Sequence, residues 1–173
     1  FTYRASDGAL QSPNATVTIT VNAPPTANND DYEVNEDGTL TIAIAEGVLD
    51  NDSDPEEDDL TATVVAQPLH GVLTFAADGS FVYTPEGNFH GDDGFSYQAG
   101  DGNAQSEVAA VTITVNAVND APLAAANSYS VEQNGSLNID AVSGVLASDT
   151  DVDGPTLAAS VVTQPEDGML TVD

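Results

Sequence analysis

The sequence has no cysteine and no tryptophan in its 173 residues, and one basic side chain, Arg4, against 29 Asp and Glu. The missing cysteines exclude disulfides, zinc-thiolate centres, iron-sulfur clusters and thiol nucleophiles. With a single basic residue there is no cationic face to displace counterions from nucleic-acid phosphates, and none to dock on anionic lipid. No apolar run approaches the roughly 18 residues that crossing a bilayer requires. What remains is an acidic chain of net charge -28, with 40% hydrophobic residues, 14 Gly and 9 Pro, a balance expected of a globular protein. Like charges at this density oppose compaction, so a divalent cation is the first partner to look for.

Internal repetition decides the organisation. FTYRASDG, Phe1 to Gly8, returns as FSYQAGDG, Phe95 to Gly102, and VTITVNA, Val17 to Ala23, returns at Val111 to Ala117. Farther along, Tyr32 matches Tyr129, Gly38 matches Gly135, and Gly47-Val-Leu matches Gly144-Val-Leu. The linker from Asn116 to Tyr129 is longer by three residues than that from Asn22 to Tyr32, which shifts the register from 94 to 97. The chain therefore reads as the tail of one repeat (1–23), one complete repeat (24–118) and the front of another (119–173). Incomplete repeats leave half-built apolar faces, so frayed ends or end-to-end association are expected of them.

Within the complete repeat the hydrophobic period is two. Thr39–Ile44, Leu60–Val65, Gly71–Phe75, Ser80–Pro85, Phe95–Ala99 and Val111–Val115 alternate or are β-branched, and Asp, Gly, Asn and Pro separate them. With a short strand near Asp31–Val34 the pattern predicts seven strands in a Greek-key, immunoglobulin-like β-sandwich. Ala77 to Ser80 reads as a hairpin turn, since Gly79 can take a positive φ. The pairs Phe81/Tyr83 and Phe95/Tyr97 each fall on one strand face and are expected in the core.

Carboxylates carry the remaining chemistry. The loop from Asp50 to Asp59 holds Asp52, Asp54, Glu56 and Asp58 at alternate positions, and its counterpart holds Asp149, Asp151 and Asp153. Alternating acids on a loop can converge on one point, and calcium takes six to eight oxygens at about 2.3–2.6 Å from such ligands. The second loop begins like an EF-hand, but Ser160 stands where a bidentate Glu belongs and the flanks read as strands. A calcium loop of another kind is expected, against the plainer reading of a solvated acidic surface.

The run FSYQAGDGNAQSEVAAVTITVNAVNDAP, Phe95 to Pro122, resembles the end of a cadherin-type repeat, with its A-x-D-G turn, closing strand and N-D-x-A-P linker. YEVNEDGTLTI, GVLDNDSDPEEDDLTATVV and the segment around TPEGNFHGDDGFSY are similar to the cadherin-like and VCBS-type tandem repeats of large bacterial RTX-type surface adhesins. The resemblance implies cadherin-like sandwiches in tandem, calcium near the junctions, and an adhesive or biofilm role at the cell surface. It also implies neighbouring repeats as partners, with homophilic contacts or surface polysaccharide beyond them. Position by position it gives Glu36 as the early-strand acid, Asp52 and Asp54 as the D-x-D pair, and Asp101 in the A-x-D turn. Asn119 and Asp120 become linker ligands facing Asp149 and Asp151. The first linker, Val21 to Thr26, has no acid, so a bridging ion is expected at the second junction rather than the first.

Enzyme readings find little support. His70 and His90 lie in turns, and no GxSxG elbow or phosphate-cradling glycine loop accompanies them. The alternative function is a polysaccharide-binding cadherin-like module of a secreted carbohydrate-active enzyme. It would need exposed aromatic platforms, and the chain has only five Phe and five Tyr.

Overall fold

A computed structural model describes residues 1–154 and 156–171, which divide into two units, Phe1–Asn116 and Ala117–Asp173. The first unit opens with a short antiparallel hairpin of β1 (Thr2–Tyr3) and β2 (Ala15–Thr16). Then come β3 (Asp30–Asn35), β4 (Leu40–Ile42), β5 (Thr61–Ala66), β6 (Gly71–Phe75), β7 (Phe81–Pro85), β8 (Gly91–Gly100) and β9 (Ala109–Asn116). They form a four-stranded sheet in the order β3-β9-β8-β5 and a three-stranded sheet in the order β4-β7-β6.

Alternation explains the core. Phe95, Tyr97 and Ala99 of β8, Ala109, Val111, Ile113 and Val115 of β9, and Phe81 and Tyr83 of β7 are all buried. Phe81 stands at the centre, its ring edge-on to Tyr32 at 5.1 Å and to Phe95 at 5.2 Å. Such pairs contribute about 0.5–1.5 kcal/mol each beyond their buried area. Both expected aromatic pairs are therefore core residues. The 76–80 turn also forms as expected: Gly79 has φ of 85° and the Asp78 carboxylate accepts from Ser80 N at 3.1 Å.

Two departures from the periodicity are informative. β4 ends at Ile42 because the chain then closes a 3-10 turn, Ile44–Glu46, whose last carbonyl accepts from the Tyr32 hydroxyl at 2.9 Å. β8 starts four residues before Phe95, since Gly91 to Gly94 pair in register with Thr112 to Val115.

β3 runs parallel to β9, Asp30 opposite Val111 and Asn35 opposite Asn116. The complete repeat is consequently entered at one pole, beside Asp30, and left at the other, beside Asn116. At about 3.3 Å per residue the two ends of β3, five steps apart, lie roughly 17 Å from one another.

Among its described residues the second unit holds no strand, only a bridge between Leu123 and Thr150 and a 3-10 turn, Val145–Ser148. The expected strands do not pair there. Val142, Val162 and Met169 are accordingly exposed.

Candidate functional site

The acids of the 50–59 loop gather at the entry pole, and three of them accept backbone N–H groups. Asp52 Oδ1 takes the N–H of Asn28 at 2.8 Å, and Glu56 Oε2 that of Ala23 at 3.0 Å. Asp54 Oδ1 takes those of Glu56 at 2.9 Å and Asp58 at 3.2 Å. A bridge between Thr26 and Ser53 backs the arrangement.

The second unit repeats the two linker contacts in register, and its central acid likewise accepts two loop N–H groups, the second from one position earlier. Asp149 Oδ1 accepts from Ala125 N at 2.8 Å, Asp153 Oδ2 from Asp120 N at 2.5 Å, and Asp151 Oδ1 from Asp153 N at 2.9 Å and Gly154 N at 3.2 Å. The alternating acids thus have a role that spacing alone did not reveal: they fasten the incoming linker to the loop. Of the residues expected at the second junction, Asp120 meets Asp153, and the Asn119 amide turns to the carbonyl of Asp120 at 2.7 Å.

Asp101 joins the entry-pole group. Its Oδ1 accepts from Asn103 N and Ala104 N, both at 2.6 Å, and its Oδ2 from Asn22 Nδ2 at 2.8 Å. The Ala104 N–H above all, then the Asn22 amide, holds this carboxyl below the ordinary carboxylate range. Glu36 does not belong to the group. It is buried at the exit pole, where its N–H donates to Asn116 O at 2.8 Å. The full length of β3 separates it from Asp30, so Glu36 and the Asp52/Asp54 pair cannot share one ion.

Behind the loop lies a feature that sequence reasoning missed. The buried Tyr97 hydroxyl is surrounded by Val48 O at 2.7 Å, Asn28 O at 3.0 Å and both oxygens of Asp52 at 3.0 and 3.1 Å. It has one proton to donate, so acceptors outnumber donors. Asp30 adds a further acid, its Oδ1 accepting from Asn51 Nδ2 at 3.0 Å. Burial pushes Asp30 up to about 6, the charge of Asp52 adding to the effect. Burial also raises Asp52.

Among the described residues no three Asp, Glu or His side chains converge closely enough to hold a metal ion by themselves. Asp30 Oδ2 and Asp54 Oδ2 are nevertheless buried without a hydrogen-bond partner. A carboxylate oxygen in that position favours a proton or a hard cation at its side. The surrounding donors are all oxygens, which fits calcium and not a soft metal. His70 stacks on Phe89 at 4.3 Å, and its Nδ1 lies 3.9 Å from Glu86 Oε2, in the turn before β6.

The bacterial cadherin-like domain family matches residues 22–117, the whole of the seven-stranded sandwich. The chain belongs to that family. A second family, the bacterial Ig domain, matches residues 119–173. Integrin beta-like protein C of Dictyostelium discoideum is 29% identical over 139 residues, covering 66% of this cadherin-like chain and 7% of its own length. Integrin beta-like protein E of the same organism is 31% identical over 130 residues, with 68% and 6% covered. The chain spans less than a tenth of these relatives. Among solved structures, a variant of the endo-fucoidan hydrolase MfFcnA4, from glycoside hydrolase family 107, is 20% identical with a TM-score of 0.41, over 72% of this chain and 21% of its own. Endo-fucoidan hydrolase MfFcnA9 is 21% identical with a TM-score of 0.37, over 65% and 21%.

Proposed function

We propose that this cadherin-like chain is part of a calcium-stiffened structural and adhesive array displayed outside a bacterial cell, as in large surface adhesins. The observation that carries the reading is the placement of the acids. The parallel pairing of β3 and β9 sends the chain in at one pole and out at the other, the connectivity a tandem array needs. The acid loop stands at the entry pole, where the linker arrives, and its geometry recurs in the next repeat.

Asp52, Asp54 and Glu56, with Asp58 at the rim, would hold calcium in the complete repeat. Asp149, Asp151 and Asp153 would hold it in the next, with Asn119 and Asp120 from the linker. Bound calcium supplies positive charge that relieves the repulsion among these carboxylates. Asp54 offers its unpartnered Oδ2 as the anchoring ligand while the N–H groups of Glu56 and Asp58 orient the carboxylate through Oδ1.

Domains of the two matched kinds are typically non-catalytic. The polysaccharide-binding alternative is less favoured, because every Phe and Tyr of the sandwich, from Tyr32 to Tyr97, is buried or half-buried, and the exposed rings, Phe1, Tyr3 and Tyr129, all lie outside it. Calorimetric titration tests the calcium reading. The expected result is binding with a Kd in the range of about 10⁻⁴ to 10⁻³ M, with the share held by the first acid loop lost in Asp54→Asn. No heat of binding at millimolar calcium would contradict it. Retention of the chain on polysaccharide in the presence of chelator would instead favour the alternative.

A further inference from the structure

We infer that the A-x-D-G turn after β8 is a receptor for the asparagine that ends the preceding repeat, clamping the first junction by direct hydrogen bonds with no ion in the joint. The inference rests on reading the chain as a tandem array, and it does not depend on calcium.

Asn22 closes the first copy of VTITVNA and is half-buried against the complete repeat. Its Nδ2 donates to Asp101 Oδ2 at 2.8 Å and to Ala23 O at 3.1 Å, and its Oδ1 accepts from Asn103 Nδ2 at 3.3 Å. One step along, Ala23 N donates to Glu56 Oε2 at 3.0 Å. The linker thus has two consecutive residues gripped by two separate loops of the complete repeat.

The turn is built for this. Two backbone N–H groups fix Asp101 through Oδ1, so Oδ2 is held toward the linker rather than rotating freely. The amide of Asn22 presents a hydrogen-bond donor to that oxygen, the same side a cation would occupy. A hydrogen bond to a charged acceptor is roughly twice as strong as one between neutral groups, which suits a linker that carries no acid of its own.

The receptor is repeated too. In the tail of the preceding repeat, Asp7 Oδ1 accepts from Ala9 N at 2.9 Å and Leu10 N at 2.8 Å, matching the Asp101 turn position for position. The isolated bridges Ser6–Gln11 and Gly100–Gln105 correspond in the same way. In the second linker, Asn119 and Asp120 take the register of Asn22 and Ala23, since Asp120 N meets Asp153 as Ala23 N meets Glu56. The three added residues keep an asparagine at the gripping position.

The test is backbone ¹⁵N relaxation of the full chain in chelator, comparing wild type with Asn22→Ala and Asn22→Asp. Rigid backbone shows an order parameter near 0.85 and flexible backbone below about 0.6. Ala23 is expected at the rigid value in the wild type and at a clearly lower one in both variants, while Thr26, held by its own bridge to Ser53, and the amides of β8 and β9 stay as they are. Asn22→Asp separates the clamp from an ionic joint. A second carboxylate facing Asp101 loosens a hydrogen-bonded joint in chelator, and calcium would restore order in that variant alone. A wild-type linker that is flexible in chelator, or variants as rigid as the wild type, would overturn the clamp. Neither outcome bears on whether calcium binds at Asp54.

Discussion

Tyr97 and Asp30 show how much one proton can matter in a crowded oxygen shell. Tyr97 is the donor at the centre of four acceptors, so Tyr97→Phe strands buried oxygens, and chemical denaturation should show a loss of about 1–3 kcal/mol. Asp30, raised by burial to about 6 from 3.8, gains a proton more readily in the folded state than in the unfolded one. Its contribution is therefore fully present below the unfolded value and is lost as pH rises through about 6. In chelator, stability should fall between pH 4 and pH 7, on the order of 1–2 kcal/mol after allowance for solvent screening. Asp30→Asn should flatten that slope, and an unchanged slope would remove Asp30 as its cause. The following repeat already carries Asn127 at the corresponding position, with its amide bonded to Ala125 O and Val145 O. None of this was legible in the sequence. Asp30 lies in an Asn-Asn-Asp-Asp run without visible periodicity, and only the fold brings it to Tyr97.

At the level of the element, the period-two signal located all seven strands because their buried faces alternate, and it placed the Gly79 turn because only a positive φ closes it. It misjudged ends where side-chain bonds or glycine pairing override alternation, as at Ile42 and Gly91. Gly94 marks the limit well. Within β8 it looks like a strand breaker, yet a Cβ there would lie 2.1 Å from the Val111 carbonyl oxygen, so glycine is what lets β8 and β9 approach. Gly94→Ala should cost about 1–3 kcal/mol or more in thermal or chemical unfolding. Gly87→Ala, whose nearest contact is Asp37 Oδ1 at an ordinary 3.8 Å, should be nearly neutral. Equal effects of the two would contradict the close-approach argument.

At the scale of the whole molecule, repetition was the most legible feature, since matching residues keep matching hydrogen bonds from one repeat to the next. The candidate site was legible in part. Asp52, Asp54, Glu56 and Asp101 do share the entry pole, whereas Glu36 lies at the other because β3 carries it there. The role of Asn22 was hidden because its partner is 79 residues away. With a net charge of -28, the account turns on whether calcium relieves the repulsion at the acid loops. The most direct test is the thermal unfolding of the chain in millimolar calcium, in chelator and in magnesium, alongside Asp54→Asn. A site filled at a hundredfold excess over Kd adds about 2.7 kcal/mol, and each kcal/mol raises the Tm of a domain this size by roughly 4–8 °C. Tm should rise by many degrees in calcium and little in magnesium, and Asp54→Asn should lose the rise; superimposable melts in calcium and chelator would contradict calcium binding at the acid loop.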